Sequence, residues 1–237
     1  MKPDLISVAP LMAKHMDEIA QDFTIHKLPP AGPERTALLS KVGPNVRFLQ
    51  TTGFHGADAN LINALPKLEI IACMGVGVDA VDLDLAKKKG IAVTNTPDVL
   101  NDDVADLAIA LMLMTGRRLA LSDRYVRDGR WLKGSQPLAT KVSGKKLGIL
   151  GLGRIGKAIA KRAAAFDMDI SYFGRNKQAG VPYRYYPDLV QMARDVDFLI
   201  IICPGGPATK GIVNKEVIEA LGPKGILVNV ARGSVVD

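Results

Sequence analysis

The chain has 237 residues, 48 % of them hydrophobic and 23 % charged, with a formal net charge of +7, three histidines and two cysteines. That is apolar material for one large or two ordinary cores of a soluble globular protein. No apolar run approaches the roughly 20 residues that span a bilayer, and Asp4, Asp17 and Glu18 interrupt the N-terminus too early for a secretory signal, so neither membrane insertion nor secretion is expected.

From residue 4 to 99 short apolar runs alternate with helix-like segments. LISVAP, FTIHKL, RFLQTT, LEIIAC and IAVTNT have the length and β-branched content of strands. Between them DANLINALPK reads as a helix capped by Asp58, and DLDLAKKKG as one capped by Asp82 or Asp84 with Gly90 just past its basic end. Such alternation predicts a parallel sheet covered by helices. The run Lys87, Lys88 and Lys89 is the longest basic one, and a solvated helix end explains it better than a nucleic-acid patch.

A long helix is expected from Asn101, capped by its own side chain and with Asp102 and Asp103 in the first turn, to about Gly116. Val104, Leu107, Ala108 and Leu111 form one apolar face, and Ile109, Met112 and Leu113 fill much of the other, so burial nearly all round is expected. A polar connector with Gly129, Trp131 and Gly134 follows. A second alternating series begins at Lys145 with the strands KLGILG, DISYFG, FLIIIC and ILVNVA. The division is therefore 1–99 and 100–237. Tyr183, Arg184, Tyr185 and Tyr186 place aromatics beside a cation as a base-stacking surface would, but an exposed strand is the simpler reading. Cys73 and Cys203 each end an apolar run without metal-ligand spacing, which fits buried, reduced thiols in a cytoplasmic protein.

Gly151, Gly153 and Gly156 have the G-x-G-x-x-G spacing between a strand and an Ala-rich helix. The first permits a tight turn, the second lets backbone approach a pyrophosphate, and the third lets helix and strand pack closely. A glycine-rich turn with no ligand is the competing explanation, weakened by the flanking elements. A dinucleotide fold usually ends its second strand on an acid that holds the adenosine ribose. Here Gly174 stands at that place, eighteen residues past Gly156, followed by Arg175, Asn176 and Lys177. A carboxylate would repel a 2′-phosphate, whereas this segment has room and donors for one, so NADP (NADPH rather than NADH) is the expected cofactor. Ordinary turn cations beside an NAD site remain the alternative.

The chain resembles the D-2-hydroxyacid dehydrogenases, and among them the NADPH-dependent glyoxylate, hydroxypyruvate and hydroxyphenylpyruvate reductases. The motifs are GVGVDAVDL (75–83), GIAVTNTPDVLNDDVADLAIAL (90–111), GRW (129–131), GKKLGILGLGRIG (144–156), CPGGPATKGIVN (203–214) and ALGPKGILVNVARGSVVD (220–237), which cover nearly the whole chain. The resemblance implies an α/β protein of two doubly wound parallel-sheet domains, a flavodoxin-like substrate domain and a Rossmann cofactor domain. It implies that Gly75, Val76 and Gly77 receive the substrate carboxylate, in keeping with successive backbone N–H groups forming an anion-binding concavity. It puts Val104 beside the nicotinamide, Arg154 and Ile155 along the pyrophosphate, Cys203, Pro204 and Thr209 on the adenosine side, and Ala231 among the cofactor contacts. Gly205 and Gly206 depart from the Leu-Thr that the family often has there. Arg232 matches the family's catalytic arginine. Phe54, in TTGFHG (51–56), is the candidate wall of an apolar substrate pocket.

The family's acid/base pair, a His and a Glu, lies beyond the arginine motif, and none of His15, His26 and His55 falls in a matching motif. These residues are thus expected to be the front part of a longer enzyme that reduces small 2-oxo acids to D-2-hydroxy acids, as a homodimer without nucleic-acid or membrane partners. A non-catalytic sensor resembling the dehydrogenase-like corepressors, or a plain binding fragment, remain the other readings.

Overall fold

The computed structural model describes residues 2–237. Among these residues the chain divides between Val99 and Leu100 into two compact units. In the first, strands β1 (Asp4–Ser7), β2 (Thr24–Lys27), β3 (Phe48–Thr52), β4 (Ile70–Met74) and β5 (Ala92–Thr94) alternate with helices α1 (Ala13–Asp22), α2 (Pro33–Val42), α3 (Ala59–Asn63) and α4 (Leu83–Lys88). All pairings are parallel, in the order β2-β1-β3-β4-β5, which is the flavodoxin-like order. Ile6, Leu49 and Ile71 from the three central strands meet Leu61 and Ile62 of α3 and Ala86 of α4 in one core. Each fully buried Ile or Leu contributes about 1.5–3 kcal/mol. Asp58 accepts from the Leu61 N–H at 2.8 Å and Asp82 from the Leu85 N–H at 3.0 Å, so Asp82 is the cap of α4 and Asp84 lies in its first turn. Lys87, Lys88 and Lys89 are exposed, as a solvated helix end requires.

The second unit opens with α5 (Asn101–Gly116) and α6 (Leu119–Arg127). Its sheet comprises β6 (Lys146–Leu150), β7 (Asp169–Phe173), β8 (Arg184–Tyr186), β9 (Phe198–Ile201) and β10 (Ile226–Asn229), with α7 (Arg154–Ala164), α8 (Leu189–Asp195) and α9 (Lys215–Leu221) between them. The order β10-β9-β6-β7-β8, all parallel, is a Rossmann order whose direction reverses between β6 and β9. Alternate residues of β9 serve opposite faces. Phe198 and Ile200 join Ala108, Met112 and Ile159 of α5 and α7, while Leu199 and Ile201 join Met192 and Val217 of α8 and α9. Helices therefore cover both faces of the sheet, as in a doubly wound fold.

Four expectations are corrected here. Asn101 does not cap α5: it is already helical, Leu100 holds the N-cap, and no side chain caps that turn. Nor is α5 buried all round. Ala105, Ala108, Ile109, Met112 and Gly116 are buried, whereas Leu107 and Met114 are exposed. The polar connector contains α6, whose acid-base pairs, such as Arg127 Nε to Asp123 at 3.0 Å, hid an amphipathic helix in polar composition. The tyrosine cluster is a strand but not an exposed one. Tyr186 is buried and donates to Asp195 at 2.8 Å, and Tyr185 packs on Tyr172 with ring centroids 5.3 Å apart, so these rings are core rather than a stacking surface. Both cysteines are buried and neither forms a disulfide, and among the described residues no helix is long and apolar enough to cross a membrane.

Candidate functional site

Parallel strands bring their carboxyl ends, and the loops that follow them, to one edge of each sheet, where ligands of open α/β folds collect. In the second unit that edge carries the glycine loop after β6, residues 174–177 after β7, residues 203–209 after β9 and Arg232 after β10. In the first it carries residues 53–56 after β3 and Gly75, Val76 and Gly77 after β4.

The three glycines of the loop have different reasons to be glycine. Gly151 has φ 105°, and a Cβ there would lie 2.8 Å from the backbone N and Cα of Cys203, across the point where strand order reverses. At Gly156 a Cβ would lie 2.2 Å from the Gly151 carbonyl oxygen. Both are demanded by packing inside the protein. Gly153 is not: a Cβ there would meet nothing within 4 Å, its φ is −77°, and it is exposed as the N-cap of α7. What a side chain at Gly153 would obstruct is the approach to the first turn of α7, whose N–H groups have no partners within the helix. Arg154 is exposed and Ile155 half-buried in that turn.

Gly174 likewise has open space where a Cβ would stand and no positive φ, so the fold itself does not exclude an acid there. Arg175, Asn176 and Lys177 are exposed and make no hydrogen bond or ion pair to any described residue. Cys203 lies behind the glycine loop, where burial pushes its thiol pKa up. Thr209 donates to the Pro204 carbonyl at 2.6 Å, so its hydroxyl closes the loop around Gly205 and Gly206. Val104 is half-buried in the first turn of α5.

Arg232 is half-buried directly after β10, and Asn229 fixes its backbone. The Asn229 side chain donates to the Arg232 carbonyl at 2.8 Å and accepts from the Ala231 N–H at 2.9 Å. Sequence reading missed this brace, although a polar residue inside the apolar run ILVNVA was a signal for it.

In the first unit, Gly75 has φ 128° and its N–H donates to Thr96 Oγ1 at 2.9 Å. Thr96 N–H returns a bond to the Gly75 carbonyl at 2.9 Å, and Asn95 Nδ2 holds the Val76 carbonyl at 2.9 Å. The Gly75 donor, expected to face an anion, is thus committed within the protein. The N–H groups of Val76 and Gly77 donate to no acceptor among the described residues. A cavity of about 310 Å³ at the same edge is lined by Val8, Leu28, Pro29, Pro30, Arg35 and His55. Phe54, expected as an apolar wall, is 78 % exposed and takes no part in it. The histidines are held locally: His15 by Glu18, His26 by Asp4 and His55 by Thr52.

A Rossmann-ordered sheet with this loop at its switch point has the architecture of a dinucleotide-binding domain. The family model described as D-isomer specific 2-hydroxyacid dehydrogenase, NAD binding domain, matches residues 109–237. A hydroxyphenylpyruvate reductase of Plectranthus scutellarioides is 52 % identical over 205 residues, 86 % of this chain and 66 % of that protein. A glyoxylate/hydroxypyruvate reductase of Arabidopsis thaliana is 46 % identical over 233 residues, 98 % of this chain and 74 % of that protein. Among solved structures, an NADPH-dependent glyoxylate/hydroxypyruvate reductase from Sinorhizobium meliloti, in complex with NADP and malonate, superimposes with a TM-score of 0.91 at 40 % identity, over 100 % of this chain and 73 % of that one. The chain belongs to the D-isomer-specific 2-hydroxyacid dehydrogenase family, in its reductase subgroup, and spans about two thirds to three quarters of the length of these relatives.

Proposed function

We propose that this protein reduces the carbonyl of small 2-oxo acids, glyoxylate and hydroxypyruvate among them, to D-2-hydroxy acids with NADPH. Membership in the reductase subgroup supports the reaction. The observation that carries the cofactor reading is Gly174: the acid that would hold an unphosphorylated ribose is missing though the fold has room for it, and Arg175 and Lys177 stand uncommitted beside the gap.

Bound NADPH supplies the hydride. The N–H groups of Arg154 and Ile155 at the start of α7 face the pyrophosphate, favoured by the positive end of the helix dipole. Arg175 meets the 2′-phosphate with a planar fork of donors. In the first unit, Val76 and Gly77 N–H groups receive the substrate carboxylate. Arg232, braced by Asn229, is the residue on which the resemblance places stabilisation of the carbonyl oxygen as charge develops there. A second copy of the chain is the expected partner. Exposed Leu119, Leu121, Val126, Trp131, Leu132 and Leu138, on and after α6, support this, and a monomeric mass in sedimentation equilibrium would remove it.

The test compares glyoxylate with glycolaldehyde, which lacks the carboxylate, using NADPH and NADH in turn on the intact protein. Donors left unpaired without the carboxylate cost about 1–3 kcal/mol each, so kcat/KM for the aldehyde should fall by roughly 5- to 150-fold per donor. One charge-assisted bond to the 2′-phosphate should favour NADPH by roughly 10- to 150-fold. Equal turnover of acid and aldehyde would defeat the substrate assignment, and equal kcat/KM for the two cofactors would defeat the NADPH assignment.

A further inference from the structure

The segment that bears Arg175, Asn176 and Lys177 is fastened at both ends. At its start, Tyr185 Oη donates to the Gly174 carbonyl at 3.2 Å. At its end, the Gln178 N–H donates to Tyr172 Oη at 2.7 Å. Tyr172 is 1 % exposed and its ring contacts that of Tyr185, so both anchors belong to the core. Gln178 then reaches out of its own loop: its side-chain Nε2 donates to the carbonyl of Leu152 at 2.7 Å. Leu152 lies between Gly151 and Gly153 and is itself buried. One carboxamide therefore joins the loop after β7 to the glycine loop after β6.

We propose that Gln178 is a positioning residue for cofactor selection, a strut that fixes Arg175 and Lys177 relative to the N-terminus of α7. This rests on the NADPH reading above. The physical reason is distance. The two anionic groups of the cofactor are joined by a ribose of fixed size, so donors held in register meet both at once, whereas donors on a loose loop must be ordered at binding, at an entropic cost. Arg175 and Lys177 are exposed side chains with no partner among the described residues to preset them, so their register must come from the backbone, which the two tyrosines anchor to the core and the Gln178 side chain ties to the glycine loop. The geometry needs a donor at the end of a side chain of this length, because its target is a carbonyl oxygen. Asparagine is one methylene too short, and methionine matches the length without the donor.

Isothermal titration of Gln178→Met with adenosine 2′,5′-bisphosphate and with 5′-AMP tests this without any turnover. The 5′-phosphate is common to both ligands, and only the bisphosphate uses the pinned segment. The expected result is about a tenfold rise in Kd for the bisphosphate, with less than about a twofold change for 5′-AMP. Gln178→Asn, which keeps the polarity, should give the same selective loss and serves if the Met variant folds poorly. If the unmutated protein prefers the bisphosphate and both variants keep that preference, or lose affinity for both ligands equally, Gln178 is a fastener of the fold only and the proposal is overturned while the NADPH reading stands. If the unmutated protein binds the two ligands alike, the NADPH reading fails and the strut has nothing to select.

Discussion

In both units the two edges of the sheet are built on opposite terms. At the amino edge, polar groups are spent on one another. Arg47, just before β3, holds Glu69, just before β4, through two bonds of 2.7 Å, which raise the pKa of the arginine and lower that of the acid. Lys145, just before β6, holds Asp197, just before β9, at 3.0 Å. At the carboxyl edge, donors are left over: the N–H groups of Val76 and Gly77, and the side chains of Arg175, Asn176 and Lys177. Polar groups that pair with one another contribute to stability, and donors without a protein partner at the carboxyl edge are open to water or to a ligand. The difference teaches that function in this chain is best found by asking which polar groups the fold has not used.

The glycine loop offers the sharpest way to break that contrast, because it contains both kinds of residue within six positions. Gly156→Ala must push a methyl against the Gly151 carbonyl oxygen from 2.2 Å. Such overpacking typically costs about 1–3 kcal/mol, and at the upper end should lower Tm by roughly 6–12 °C and abolish dinucleotide binding with it. Gly153→Ala meets nothing within 4 Å. It should change stability by no more than about 0.5 kcal/mol and yet weaken dinucleotide binding about tenfold or more, since the obstructed neighbour is the ligand. Differential scanning calorimetry and titration on the two variants separate the effects. Equal binding loss with equal destabilisation would show that Gly153 too serves only the fold.

Much of the carboxyl edge of the second unit was legible in the sequence because its logic is local. The strand, the glycine spacing and the helix of residues 146–164 are contiguous, and the absent acid at Gly174 is found by counting. Arg232 came from a resemblance of motifs rather than from any local pattern. What stayed hidden depends on neighbours distant in sequence. Thr96 meets Gly75 only because β5 pairs with β4, and Gln178 meets Leu152 only because β7 lies beside β6. The burial of Tyr186 depends on Asp195 and the core beneath β8, which composition cannot foresee. The α5 start was misjudged by one residue, since Asn at Asn101 has the chemistry of a cap while the backbone has already turned helical.

A smaller effect is expected in the first unit, where the loop is buttressed by side chains rather than by close packing. Thr96→Val removes the acceptor of the Gly75 N–H but leaves the return bond from residue 96 to the Gly75 carbonyl. Gly75 is half-buried, so water can replace part of what is lost, and the cost should be about 1 kcal/mol. If the loop positions Val76 and Gly77 for the substrate carboxylate, KM for glyoxylate should rise about fivefold with kcat nearly unchanged, the pattern of lost ground-state binding. A fall in kcat at constant KM would place the loop elsewhere in the reaction.

The smallest effect belongs to the amino edge and should be confined to stability. Burial opposes ionisation of Asp197, but the backbone N–H of Lys146 at 3.0 Å and the ammonium of Lys145 outweigh it and hold the carboxyl below its usual range. A carboxyl whose folded pKa is lowered stabilises the fold above its unfolded value, about 3.9, and that contribution is lost as pH falls through the lower folded value. Both partners are more than a third exposed, 39 % for Lys145 and 36 % for Asp197, so solvent screening keeps the contribution below about 1 kcal/mol. Asp197→Asn should therefore be slightly less stable than the unmutated protein at pH 7, and the gap should close as pH falls below about 4. Chemical denaturation across that range measures the gap, and titration at pH 7 should find the dinucleotide Kd unchanged. A gap that persists at acid pH would show that something other than the charge of Asp197 separates the two proteins, and a changed Kd would show that the two edges are coupled.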